Sequence, residues 1–159
     1  CEFEIAFDTP VVGRQARTFD LSAERFRSDI ADARTFGFMR DVETLWKAGF
    51  ALGASLENTV AIGDDCVVNP EGLRHPDEFV RHKILDAVGD LALAGHMIRG
   101  TYRAFCPGHK LNVMMLQRLF ADRSAYAIVD ATTSRREVVR DFGHGELPGQ
   151  AMAYGPVTR

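Results

Sequence analysis

The side chains best suited to chemistry sit together in DEFVRHKILDAVGDL (77–91): His82, Lys83, Asp86 and Asp90. The segment reads as a helix, and a helix advances about 100° per residue. With His82 at zero, Asp86 falls at about 40°, Asp90 at about 80° and Lys83 at about 100°. Val80, Ile84, Val88 and Leu91 fall at roughly 160–240°, on the opposite side. Four ionisable residues therefore share one narrow face. His82 and Asp86, at i and i+4, are near enough to hold one metal ion between them. Such pairs are also common on solvated helix faces, as His–Asp and Lys–Asp ion pairs, and spacing alone favours that reading. Two ligands also fall short of the three protein ligands usual at a catalytic zinc. His109, in CPGHKLN, stands where a turn enters another helix, whereas His75, His96 and His144 are isolated. By spacing, His109 is a structural histidine at a helix start. It becomes an acid or charge stabiliser if a carboxylate such as Asp90 meets it.

These residues need elements to position them. Phe3, Ile5 and Phe7 alternate with Glu2, Glu4 and Ala6, which predicts a half-buried strand over 3–7. Thr9, Pro10 and Gly13 make a turn, and 15–21 returns as its hairpin partner. Ser22 caps a helix to about residue 33, with Phe26 and Ile30 on its inner face. A second helix spans about 40–48, burying Val42, Leu45 and Trp46, with Gly49 as its stop. Short strands follow at 59–62 and 66–68, around a turn at Asp64 and Asp65. Pro76, Asp77 and Glu78 start the charged helix, which runs to about residue 94 with Gly95 beyond it. A strand at 100–105 precedes a fourth helix to about residue 121, with Leu111, Met115, Leu116 and Leu119 inward. A β-rich run covers 125–130, and a polar, Gly/Pro-rich tail covers 133–159. Without regular βαβ alternation the fold class is α+β.

Bulk properties exclude some functions. The chain has 159 residues, 46% hydrophobic and 26% charged, with a net charge of −3. That suits one domain with a real core and gives no broad attraction for nucleic acid or an anionic membrane. No apolar run approaches the roughly 18 residues of a membrane span. Cys1, Cys66 and Cys106 form no CxxC pair, so free thiols in a reducing cytoplasm are expected.

Three stretches go beyond periodicity: ARTFGFMRDVE (33–43), EGLRHPDEFVRHKILDAVGDL (71–91) and GHKLN (108–112). Together they resemble the C-terminal half of UDP-3-O-acyl-N-acetylglucosamine deacetylase, the zinc enzyme of lipid A biosynthesis in Gram-negative bacteria. The resemblance covers nearly all of 3–130. It implies a two-layer α+β sandwich of a small, mostly antiparallel sheet and helices over 1–132. A βαβ-like insert at about 38–68 would form a hydrophobic passage for the fatty acyl chain. Met39, Val42, Leu52, Ala54, Leu56 and Ala61 would line or support that passage, although each is also an ordinary core position. His82 and Asp86 carry over as ligands of one Zn2+. The third ligand, a histidine, and the general-base glutamate are implied to come from an N-terminal domain that this stretch of sequence does not include. The isolated chain is therefore expected to be inactive.

The resemblance further assigns His109 as a protonated catalytic histidine, Asp90 as the carboxylate orienting it, and Thr35 as an oxyanion stabiliser. Lys83, Phe36, Phe38 and Met39 match substrate-contacting positions, and Phe7 matches an aromatic that stacks on uracil. The implied reaction removes the N-acetyl group of UDP-3-O-acyl-N-acetylglucosamine as acetate and leaves the free amine, in the cytoplasm. Some positions depart from the pattern. Cys106 stands where a lysine contacts the diphosphate, with Lys110 nearby; Thr9 replaces a histidine before Pro10; His75 replaces a bulky apolar residue. Cys106 keeps open a non-catalytic sugar-nucleotide or lipid-binding module. A salt-bridged domain interface is a third reading of the charged helix face.

Overall fold

Alternation of Glu2 and Glu4 with Phe3 and Ile5 puts one face of β1 (Glu2–Ala6) in the core. The computed structural model describes residues 1–130. After β1 come β2 (Arg14–Thr18), α1 (Ala23–Asp29), β3 (Thr35–Phe38), α2 (Met39–Lys47) and β4 (Thr59–Ile62). Then follow α3 (Glu78–Leu91), a 3-10 turn (Ala92–Ala94), β5 (Arg103–Phe105) and α4 (His109–Ala121). The stretch Cys1–Ala121 forms a unit of its own, and the β-rich run expected at 125–130 contains no strand. The tail expected at 133–159 lies outside the described residues.

The α+β expectation holds, but the sheets are mixed and not mostly antiparallel: two of the three strand pairs are parallel. β1 is the centre of a three-stranded sheet of order β2–β1–β5, antiparallel to β2 and parallel to β5. Gly13, at φ +58, closes the hairpin, where its N–H donates to the Thr9 carbonyl at 2.8 Å. α3 packs on β1 and β2 on one side and α4 on another. Phe3, Ile5, Phe19, Ile30, Phe79, Val80 and Ile84 fill the core between these layers. β3 and β4 form a separate parallel pair joined through α2, so the insert is a βαβ unit.

Some boundaries differ from expectation. α1 ends at Asp29, four residues early, because Ile30 caps it and the chain then runs to β3. The second short strand is a single bridge from Val67 to Ile62, after Gly63 N–H closes a turn onto the Cys66 carbonyl. α2 leaves Leu45 and Trp46 exposed, Trp46 by 54%. A two-stranded ribbon is too narrow to cover more than one side of a helix, and among the described side chains of α2 only Val42 is half-buried. On α4 Asn112 and Leu116 are buried and Met115 and Leu119 half-buried, while Leu111 faces out.

One buried ion pair fixes the start of β3 against the start of α3. Arg34 Nε and Nη2 donate to Glu78 Oε1 and Oε2 at 2.9 and 3.1 Å, and both residues are buried. Glu78 also accepts the backbone N–H groups of Arg34 and Arg74. Burial of Glu78 opposes its charge, but these donors outweigh it and hold the carboxyl below its ordinary value.

Candidate active site

α3 carries the charged face foreseen by its spacing, yet that face is largely covered. The side chains of His82, Asp86 and Asp90 keep only 13%, 14% and 15% exposure. His82 Nε2 lies 3.3 Å from Asp86 Oδ1, and its Nδ1 lies 3.3 Å from the carbonyl of Ala33. In the tautomer whose Nδ1–H donates to that carbonyl, Nε2 keeps its lone pair and faces Asp86. Burial of the ring lowers the His82 pKa against the opposing pull of Asp86, so the neutral form dominates at pH 7. Two lone-pair donors then stand side by side. Their separation is close to the roughly 3.3 Å edge of a tetrahedron built on ~2.0–2.1 Å ligand bonds. A neutral imidazole nitrogen, oriented through its second nitrogen and set beside a carboxylate oxygen, is a donor set that suits zinc. Among the described residues no group of three or more His, Cys, Asp or Glu could hold a metal.

One helical turn along α3, Asp90 meets the start of α4. Its carboxylate accepts from His109 Nδ1 at 2.9 and 3.0 Å. His109 is 71% exposed, so Nε2 is left for a ligand outside the pair. The two residues are 19 apart in sequence and meet because α3 packs on α4. Asn112, one turn beyond His109, donates from Nδ2 to Asp90 Oδ2 at 2.8 Å and accepts from the Tyr102 hydroxyl at 2.7 Å. Sequence reasoning assigned Asn112 and Tyr102 no role. The available signal was an amide at i+3 from His109, on the face of α4 that the apolar pattern turns inward.

The remaining predicted residues gather mostly at the other end of α3. Lys83 Nζ stands 3.6 Å from Asp86 Oδ2 and 5.5 Å over the ring of Phe36. Phe36 packs edge-on against Phe79, Phe7 and His82, at 5.0, 5.6 and 6.2 Å between centroids. Phe38 lies 6.3 Å from Phe7 and under the guanidinium of Arg40. The structure thus unites Phe7, Phe36, Phe38, His82 and Lys83. Thr35 opens β3 with its side chain exposed, next to buried Arg34 and two residues after the carbonyl that His82 engages. Met39 opens α2 and is exposed. Of the residues named for a passage, Ala61 is in the core and Val42 half-buried, while Leu52, Ala54 and Leu56 are exposed.

The departures from the family pattern also find places. Cys106 takes up φ +45, and its sulfur accepts the Ala6 N–H at 3.3 Å at the end of β1. Thr9 Oγ1 accepts the Val12 N–H within the hairpin turn. His75 pairs with Asp32 at 3.0 Å, tying the loop before α3 to the segment before β3.

This arrangement can be set beside known proteins. The protein-family model described as LpxC, UDP-3-O-acyl N-acetylglycosamine deacetylase, matches residues 1–121. Proteins named UDP-3-O-acyl-N-acetylglucosamine deacetylase from Brucella ovis, Brucella canis and Brucella suis are each 53% identical over 131 residues. Those matches cover 82% of this chain and 46% of each relative. The chain therefore spans about half the length of the curated relatives it matches. No described helix is long and apolar enough to cross a membrane. With the matched family model covering both helices of the site, the chain belongs to the UDP-3-O-acyl N-acetylglycosamine deacetylase family.

Proposed function

We propose that this chain supplies one side of the active site of a zinc-dependent deacetylase that hydrolyses the N-acetyl group of UDP-3-O-acyl-N-acetylglucosamine, a step of lipid A biosynthesis. One observation carries the reading. His82 beside Asp86 and a hydrogen-bonded Asp90–His109 pair stand one turn apart on the same helix face. His82 and Asp86 would hold the zinc, with a further histidine and a general-base glutamate supplied from an N-terminal domain. Bound there, zinc supplies Lewis-acid polarisation of the amide carbonyl and a more acidic water.

The chain's own residues do the rest. Asp90 holds His109 through Nδ1, so in its doubly protonated form the ring offers Nε2–H to the departing amine. The same proton and the Thr35 hydroxyl are donors for the oxyanion that forms on the substrate carbonyl. Lys83 offers a cation to the sugar nucleotide, and Phe7, Phe36 and Phe38 offer an aromatic surface for the uracil and nearby apolar atoms. The exposed apolar side chains of the insert, Met39, Leu52 and Leu56, suit an acyl chain.

Cys106 favours a second reading, a non-catalytic module that binds the sugar nucleotide or lipid, because its sulfur is tied to Ala6 and brings no cation. Deacetylation by the full-length protein, followed as acetate release with and without zinc, separates the two. Zinc-dependent release is the expected result; nucleotide binding without turnover selects the module. Full activity from these 159 residues alone would overturn the half-site picture.

A further inference from the structure

Asn112 is fully buried on α4, and both ends of its amide are engaged. A buried amide left half-satisfied is costly, so its two partners determine how it sits. Asp90, as a carboxylate, can only accept, and the Tyr102 hydroxyl here donates. With Nδ2 toward Asp90 and Oδ1 toward Tyr102, both contacts are favourable. Turned over, the amide would set its oxygen against the Asp90 carboxylate, which cannot donate, even though the Tyr102 hydroxyl could then accept. Tyr102 is itself held edge-on against Phe3 of β1, with ring centroids 5.6 Å apart. Burial, followed by the charge of Asp90, raises the Tyr102 pKa above its ordinary 10.0, which keeps the hydroxyl a donor.

We propose that Tyr102 and Asn112 are positioning residues: they fix the Asp90 carboxylate from behind and so set the orientation of the His109 ring. His109 needs such a device because it is exposed and sits at the first residue of α4, where little packs around it. Asp90 is gripped at Oδ2 by Asn112 and presents both oxygens to Nδ1. A carboxylate free to turn would let the imidazole swing, and a small displacement of an acid from its acceptor costs rate steeply. The line of contacts runs from the sheet core at Phe3 through Tyr102, Asn112 and Asp90 to Nε2 of His109. A purely structural Asn112 would show its loss in stability and not in turnover, since Asn112→Leu leaves Asp90 Oδ2 and the Tyr102 hydroxyl without this partner.

The inference rests on the proposed deacetylase reading for its kinetic arm but not for its spectroscopic one. The full-length protein is compared with Tyr102→Phe, Asn112→Leu and the double variant. Asn112→Leu is expected to lower kcat roughly 10- to 100-fold and Tyr102→Phe about 3- to 10-fold, with KM within about twofold in both. The double variant should be no slower than Asn112→Leu, because the two residues act through one contact. The 15N shifts of the His109 ring should move in both single variants. Unchanged ring shifts overturn the inference whatever happens to kcat, and so do moved shifts with unchanged kcat in an active enzyme. If Asn112→Leu fails to fold, Tyr102→Phe, which keeps the ring on Phe3, decides by the same criteria. A wild-type protein without deacetylase activity would defeat the proposed function, and the ring shifts would still decide the role of Asn112.

Discussion

The face of α3 and the insert from β3 to β4 reverse the usual arrangement of a globular domain in opposite senses. Along α3, ionisable side chains are tucked away: His82, Asp86 and Asp90 are each about one-seventh exposed and paired. In the insert, large apolar side chains stand in solvent: Leu52 is 75% exposed and Phe50 65%. Burying charge costs free energy unless it is paired, and exposing apolar area forgoes about 25 cal/mol per Å2. Neither arrangement serves folding. The difference lies in how each is completed. Asp90 finds its partners inside the described chain, whereas the insert presents apolar surface that nothing in its own unit covers. Substitutions in the first region should therefore change turnover, and those in the second should change affinity.

The largest effect is expected at His82. His82→Ala in the full-length protein removes a nitrogen donor whose ring otherwise engages the Ala33 carbonyl, Asp86 and the edge of Phe36. Bound zinc should be lost and kcat should fall by roughly 10^3-fold or more, with thermal stability nearly unchanged. Metal analysis by mass spectrometry beside acetate release tests this; a zinc-replete, active variant would return α3 to being a salt-bridged face.

Glu78 should give an effect of comparable free energy on folding instead of turnover. Glu78→Gln strips Arg34 of its buried counter-charge and leaves only the half-exposed Glu71 beside it; breaking a buried pair from one side costs up to about 3–5 kcal/mol. The sign of its pH dependence follows from the lowered pKa. The native state binds fewer protons than the unfolded state, so the stabilisation is complete above the ordinary 4.5. It fades as pH falls from there through the folded value. Urea unfolding of wild type and Glu78→Gln from pH 7 to pH 3 should converge at the acid end; parallel curves would refute the assignment.

Asp90→Asn comes next. It keeps the shape but replaces an acceptor-only group facing His109 Nδ1 and Asn112 Nδ2 with an amide that can satisfy both only in part. A loss in kcat of about 10^2-fold with little change in melting temperature is expected. A mainly destabilised variant with normal turnover would mark Asp90 as structural.

These expectations also separate what could be read in the sequence from what could not. The placing of His82, Lys83, Asp86 and Asp90 on one face follows from helix geometry, which is local, and α3 bears it out. Burial of that face depends on segments far away in sequence, such as the Ala33 carbonyl, 49 residues from His82. Spacing alone therefore favoured a solvated face, and only family resemblance raised the metal reading. The meeting of Asp90 with His109 needed α3 and α4 to pack, which no periodicity encodes. Leu45 and Trp46 show the converse error: hydrophobicity marks a residue that could be buried, not whether a neighbour is wide enough to bury it. Asn112 was passed over because an amide among leucines and methionines looks like a weakness of the apolar stripe until its two partners are seen.

Leu52→Gln should have the smallest effect and the most selective one. Leu52 lies in the loop after α2, where its exposed side chain has little apolar contact to lose on substitution. Stability should change by no more than about 0.5 kcal/mol, as for most surface substitutions. If the insert meets an acyl chain, each buried methylene contributes about 0.8 kcal/mol, so losing part of that contact should raise KM several-fold. kcat should stay within about twofold, because Leu52 is three-quarters exposed in the loop after α2 and is not among the groups placed at His82 or His109. Repeating the measurement with a substrate bearing a shortened acyl chain should shrink the difference between wild type and variant. A KM penalty that persists without the chain would mean that the exposed apolar surface serves something other than the lipid, such as contact with the rest of the protein.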